Sequence, residues 1–133
     1  MRIIGHGIDL VSIARIRAMI DDHGDRFLER CFTEHERLYG SGTRRHAEHI
    51  AARFAAKEAA MKALGTGLAD GISWTDFEVR TQPNGAPKLH VSGRAAEIAA
   101  SPDRGGNHEP EWWVSLSHTE DHAIASVIFV SKS

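Results

Sequence analysis

The chain has one cysteine, Cys31, in 133 residues. A disulfide scaffold and a cysteine-built zinc site are thereby excluded, and a reducing, cytoplasmic setting is the expectation. No apolar run approaches the ~18 residues of a membrane span, which excludes an integral membrane helix. The start, Met1-Arg2-Ile3-Ile4-Gly5, lacks the apolar stretch of a secretory signal. Neither sign of charge dominates. Sixteen Lys/Arg stand against 18 Asp/Glu, for a net charge of −2. Nucleic-acid binding across the whole chain needs a basic excess and is not expected. Heptads, internal repeats and low-complexity stretches are also missing, so residues 1–133 read as one domain.

What is present is an ordinary globular composition, 41% hydrophobic and 26% charged, enough for one core. Charge is uneven: residues 1–62 hold 11 Lys/Arg and 9 Asp/Glu, so the first half is slightly basic. Nine histidines make the charge sensitive to pH near neutrality. Residues 2–11 predict a strand in which Ile4, Ile8 and Leu10 share a parity. Gly5 and Gly7 in that strand point to a bulge or a close backbone approach. Ser12 is the candidate N-cap of a helix to about Asp22, with Ile13, Ile16, Met19 and Ile20 as its apolar stripe. A short helix over 25–32 follows. Thr33-x-x-Glu36 has the form of a capping box. The strongest helix runs from about Arg45 to Leu64, with eight alanines and Gly65 placed to end it. Strands over 72–80 and 87–92 flank the turn Gln82-Pro83-Asn84-Gly85. A short helix over 94–100 and a polar loop over 101–111 lead to a hairpin, 112–118 and 122–130. This mixture predicts an α+β fold, a mainly antiparallel sheet packed against one long Ala-rich helix and shorter helices.

The long helix carries the charged pattern of greatest interest. Arg53 and Lys57 lie one turn apart and are neighbouring like charges, which calls for something to neutralise them. Phe54, Glu58 and either Met61 or Lys62 share a face. A glutamate among three cations suits a phosphate with a bound metal; an ordinary Glu58–Lys62 ion pair on a solvated face is the plainer reading. Asp9, near a strand end, is either a turn residue or a second carboxylate for a magnesium ion on a diphosphate. His118, after Ser115 and Ser117, is a phosphate donor, a general base or a structural histidine. His46 and His49 have no third metal partner and read as a solvated helix start. Arg15, Arg17, Arg26 and Arg30, interleaved with Met19 and Phe27, form either a docking face for an acidic partner or a common amphipathic surface. Trp112-Trp113 sends one ring to each face of its strand. Cys31 reads as a small buried hydrophobe.

Five blocks, taken together, resemble a known family. They are Gly7-Ile8-Asp9-Leu10-Val11 with Ile13 and Arg15-Ile16, and Phe32-Thr33 with Glu36. The third and most specific runs from Ala51-Ala52-Arg53-Phe54-Ala55-Ala56-Lys57-Glu58-Ala59 to Lys62-Ala63-Leu64-Gly65-Thr66-Gly67. Trp74 with Asp76-Phe77-Glu78-Val79, Gly85 and Pro87 is the fourth, and Val114-Ser115-Leu116-Ser117-His118-Thr119 the fifth. In this order they resemble the holo-acyl-carrier-protein synthases, the short single-domain 4′-phosphopantetheinyl transferases.

The resemblance implies the 4′-phosphopantetheinyl transferase fold and a Mg²⁺-dependent reaction. The phosphopantetheine arm of coenzyme A passes to a serine of apo acyl carrier protein, for fatty-acid or polyketide synthesis, and adenosine 3′,5′-bisphosphate leaves. Asp9 and Glu58 match metal ligands, and with Lys62 they are the implied catalytic set. Arg53, Lys62, Gly65, His118 and Thr119 match the coenzyme A site. Arg15, Met19, Arg26, Phe27, Arg30 and Phe54 match the carrier-docking surface. A homotrimer with active sites at subunit interfaces is implied, and the coenzyme phosphates are expected to neutralise the Arg53/Lys57 pair. His6, Asp21, Asp22 and the 101–111 loop depart from the pattern without removing an implied catalytic residue. A non-catalytic coenzyme-binding module and a metal-dependent phosphohydrolase are the alternatives.

Overall fold

A computed structural model describes residues 1–101 and 109–132. In chain order the elements are β1 (Arg2–Ser12), α1 (Ile13–His23), α2 (Asp25–Cys31), α3 (Glu34–Leu38), α4 (His46–Leu64), β2 (Phe77–Thr81), β3 (Pro87–Val91), α5 (Gly93–Ala99), β4 (Glu109–His118) and β5 (His122–Lys132). Two antiparallel sheets form, one of order β1-β5-β4 and the other the β2-β3 hairpin. The α+β expectation holds.

Local signals set most boundaries. Ser12 caps α1 by accepting from the Arg15 amide at 3.2 Å. The Thr33/Glu36 capping box forms in both directions. Gly65 ends α4 in the left-handed region at φ 81°, a conformation that costs a residue with a Cβ more than glycine.

The eight alanines of α4 have a packing role beyond propensity. All eight are buried, five of them with no exposed surface, which makes α4 a thin helix that neighbours can approach closely. β1 takes that approach. A Cβ on Gly5 or Gly7 would run into the carbonyl oxygens of Ala63 and Ala59. A bulge between Ile3 and Gly5 accompanies it, so both expectations for the glycines are met. Of the parity expected to be apolar, Ile4 packs against the core, but Ile8 and Leu10 face outward. Ile8 and Leu10 are 51% and 62% exposed, while Gly5, Gly7, Asp9 and Val11 face α4. Only glycine lets strand and helix come this near, so the face with the smallest side chains became the inner one.

Three other expectations change. Residues 74–76 form a 3-10 turn, and the strand starts at Phe77, because Ser73 and Asp76 cap each other. β4 begins at Glu109, inside the expected 101–111 loop, paired to Lys132 of a longer β5; residues 102–108 of that loop lie outside the described residues. His46 and His49 are half-buried, and the His49 ring packs edge-on to Tyr39 at 4.9 Å. Trp112 turns inward and stacks on Phe129 at 4.5 Å, whereas Trp113 is 56% exposed, as alternation requires. Cys31 is buried, with its thiol pKa raised chiefly by burial.

Candidate active site

The narrow gap between β1 and α4 places Asp9, two residues beyond Gly7, against the flank of α4 that carries Glu58 and Lys62. The Lys62 ammonium donates to Asp9 Oδ1 at 3.3 Å and to the Ile8 carbonyl at 3.0 Å. Lys62 therefore reaches across to the strand, and the plain intrahelical Glu58–Lys62 pair is not what forms. Glu58 is half-buried, and burial pushes its carboxyl pKa up, helped by the Asp9 charge. Lys62 and Arg15 oppose that shift. Two carboxylates and two cations thus meet at one place. Among the described residues no group of three or more His, Cys, Asp or Glu assembles into a metal cluster. Gly65 sits one turn along at the end of α4, its amide donating back to Met61 and Lys62.

A second polar centre lies at the other edge of the sheet. His118 ends β4. Its Nε2 faces Arg45 Nη2 at 3.3 Å, and its Nδ1 faces the Thr119 carbonyl at 3.3 Å. Arg45 also donates through Nε to Glu48 Oε2 at 3.1 Å, which holds the Glu48 carboxyl below its ordinary pKa. Arg17, Arg44 and Arg45 join His118 and Thr119 around an open cavity of about 630 Å³. A smaller cavity of about 210 Å³ adjoins it, sharing His118 and Glu48 and lined also by Arg53, Tyr39 and His49. Thr119 caps the β4–β5 turn, its Oγ1 accepting from the Asp121 and His122 amides. Arg44 and Arg45 were missed by spacing arguments, since they lie in a loop and at a helix cap where no periodicity marks them.

Arg53 is almost fully buried. It donates to the His49 carbonyl at 3.3 Å and to Thr81 Oγ1 at 3.2 Å, with its guanidinium 4.2 Å from the Tyr39 ring centroid. Lys57 points elsewhere, which overturns the expected shared neutralisation of Arg53 and Lys57 by phosphates. The Lys57 ammonium is wholly buried and donates to Glu36 Oε1 at 2.7 Å, to the Trp74 carbonyl at 3.2 Å and to the Phe77 carbonyl. Glu36 Oε2 accepts from the Val79 amide at 2.9 Å. The capping glutamate of α3 is the counter-ion, a pairing across 21 residues that helical spacing does not reveal.

Among the described residues, Asp9, Glu58 and Lys62 line neither of the two cavities at His118. Helix geometry explains the separation. Five residues turn Arg53 about 140° round the α4 axis from Glu58. Asp9 and His118 also sit on the two outer strands of the sheet, with β5 between them and about 10 Å across.

The sequence-implied docking residues come together for the most part. Met19, Arg26, Phe27, Arg30 and Phe54 line a groove of about 480 Å³, together with Trp74, which stacks on Phe54 at 4.9 Å. Aromatic and apolar side chains line it together with the two arginines. Arg15 lies apart, near Glu58.

The description of the 4′-phosphopantetheinyl transferase superfamily matches residues 5–127. The chain is 48% identical to a holo-[acyl-carrier-protein] synthase of Koribacter versatilis over 95% of its own length and 97% of the relative's. Among solved structures it is similar to a holo-(acyl-carrier-protein) synthase of Bacillus anthracis in complex with CoA (3′,5′-ADP), at 36% identity and TM-score 0.79, covering 99% of this chain and 100% of that one. A Helicobacter pylori holo-[acyl-carrier-protein] synthase in complex with coenzyme A is 31% identical at TM-score 0.79, covering 94% and 99%. By that match over residues 5–127 and these identities over nearly its whole length, the chain belongs to the 4′-phosphopantetheinyl transferase superfamily, within its holo-acyl-carrier-protein synthase family.

Proposed function

We infer that this protein transfers the 4′-phosphopantetheine arm of coenzyme A to a serine hydroxyl of apo acyl carrier protein, releasing adenosine 3′,5′-bisphosphate. The observation that carries this reading is the convergence of Asp9, Glu58 and Lys62 in a chain of this family. In the reaction the serine oxygen bonds to the phosphorus that bears pantetheine, and the bond from that phosphorus to the bridging oxygen breaks. Negative charge collects on the phosphoryl oxygens and the leaving group. The Lys62 ammonium, half exposed beside Asp9, is free to turn toward those oxygens. Glu58, whose burial and acidic neighbour raise its proton affinity, is this chain's own acceptor for the serine proton.

The donor set fits a magnesium ion, since magnesium takes one or two carboxylates and completes its shell with phosphate oxygens and water. Asp9 and Glu58 would hold it, and the Lys62 cation beside Asp9 marks a place where positive charge is already favoured. Bound there, the ion would neutralise the diphosphate during transfer. Arg53, His118, Thr119 and Gly65 would hold the coenzyme, joined by Arg44 and Arg45. The aromatic groove that Arg26 and Arg30 also line would dock the acidic carrier.

The separated centres support a homotrimer with interfacial active sites, the assembly that the family resemblance implies. A carboxylate centre at one sheet edge and a phosphate centre at the other make a whole site when one copy meets the next. Ile8, Leu10 and Trp113, exposed together on the outer sheet face, suit burial by a second copy. Fatty-acid synthesis in the cytoplasm is the setting we assign. Incubation of apo acyl carrier protein with the enzyme, coenzyme A and Mg²⁺ should raise the carrier's intact mass by one phosphopantetheine arm, with no gain in chelator. Release of phosphopantetheine to water without a carrier would point instead to a hydrolase.

A further inference from the structure

Arg17 of α1 does not belong to the carrier groove. Met19 lines that groove and Arg17 does not, because two residues turn a helix by about 200°. Arg17 instead stands one turn along α1 from Ile13, whose amide donates to the Asp121 carbonyl at 2.9 Å and fixes the start of the helix against the β4–β5 turn. This brings Arg17 to the open cavity at His118, beside Arg44, Arg45, Thr119 and Glu120. Arg45 is already engaged there, with Glu48 at 3.1 Å and His118 at 3.3 Å. Among the described residues, the guanidinium groups of Arg17 and Arg44 have neither a hydrogen bond nor an ion pair, with Glu120 or any other group. Two unpaired like charges at one cavity repel each other and attract an anion.

A guanidinium presents a rigid fork of donors that matches phosphate oxygens. A phosphate monoester is close to a dianion at neutral pH, so it gains most from a cluster of such cations. Coenzyme A carries one monoester, on the 3′ position of its ribose, apart from the diphosphate that reacts. We propose that Arg17 is a specificity-determining residue whose guanidinium binds the 3′-phosphate of coenzyme A, so that the enzyme selects the phosphorylated coenzyme over its 3′-dephospho form. This rests on the reading that the His118 cavity holds coenzyme phosphates. The diphosphate belongs with Asp9, Glu58 and Lys62, which leaves the arginine cavity for the monoester. No bond to the 3′-phosphate forms or breaks, so Arg17 acts on recognition and not on the chemical step. Helix α1 thereby serves both substrates, with Met19 turned to the carrier and Arg17 to the coenzyme.

The test is steady-state transfer by the whole enzyme to apo acyl carrier protein, with coenzyme A or 3′-dephospho-coenzyme A as donor, at one ionic strength. Arg17→Gln should raise KM for coenzyme A about tenfold at unchanged kcat, on the scale of a hydrogen bond to a charged group. KM for the dephospho donor and for the carrier should stay as in wild type, so the preference for coenzyme A falls by the same factor. Arg94→Gln removes an arginine of α5 that pairs with Glu97, and should change none of these values. An equal rise for both donors, a rise in the carrier KM alone, no change, or a matching loss in Arg94→Gln overturns the role of Arg17. Equal use of both donors by wild type overturns it together with the reading of this cavity as a phosphomonoester site. Absence of transfer from either donor overturns the parent reading itself.

Discussion

At the scale of single residues, Glu58 has the most sharply defined environment. Half-buried and next to Asp9, it resists ionisation, yet the proposed metal binding and proton acceptance both require the carboxylate. Because the shift is upward, kcat/KM should decline on acidification with a midpoint above the ordinary carboxylate value of 4.5, visible in a pH–rate profile. Glu58→Gln removes the charge at constant shape. It should lower transfer by a factor of about 10² or more, by the usual scale of acid–base contributions, while thermal unfolding stays close to wild type. Normal turnover by that variant would remove Glu58 from the chemistry. Asp9, Glu58 and Lys62 were legible in the motif, but their relation was not. Helical spacing suggested Lys62 with Glu58, and the ammonium instead crosses to a strand 53 residues away.

At the scale of elements, the buried Lys57–Glu36 pair ties α3, α4 and the start of β2 together. The ammonium bridges Glu36 to the Trp74 and Phe77 carbonyls, and Glu36 holds the Val79 amide. Burial lowers the Lys57 pKa and the Glu36 charge opposes that shift, so removing Glu36 strands a buried cation. Glu36→Leu should cost about 3–5 kcal/mol in denaturant unfolding. The double variant with Lys57→Met should recover most of that, because a matched apolar pair carries no desolvation penalty. Equal loss in the single and double variants would show that the amide and carbonyl contacts matter more than the charges. Helix ends at Ser12, Thr33 and Gly65 were legible because caps are local chemistry. The inner face of β1 was not, because the decisive partner is the backbone of α4 and glycine leaves no apolar signal.

At the scale of the whole molecule, the two charged centres sit at opposite edges of one sheet, and α4 cannot turn Glu58 and Arg53 to the same side. Assembly with shared sites has a direct test in complementation. Glu58→Gln and His118→Ala copies, each impaired alone, should regain measurable transfer when co-expressed and purified as mixed oligomers, since some interfaces then pair two intact centres. Activity no greater than the sum of the separate variants would place each whole site within one chain. A charge on the exposed sheet face, Trp113→Glu, should shift the sedimentation profile toward monomer and lower transfer with it.

The sequence by itself determined the α+β class, the element order, the caps at Ser12, Thr33 and Gly65 and the candidacy of Asp9, Glu58 and Lys62. These depend on local propensity and on motifs contiguous along the chain. Only the tertiary structure decided which charges meet. Lys57 went to Glu36, Lys62 to Asp9 and Arg45 to His118, across separations of 21, 53 and 73 residues. The Lys62–Asp9 pair follows from how closely glycine and alanine let β1 approach α4, the Arg45–His118 contact from the order of strands in the sheet and the Lys57–Glu36 pair from the packing of α3 beside α4, and none of these is written in the spacing of charges along the chain.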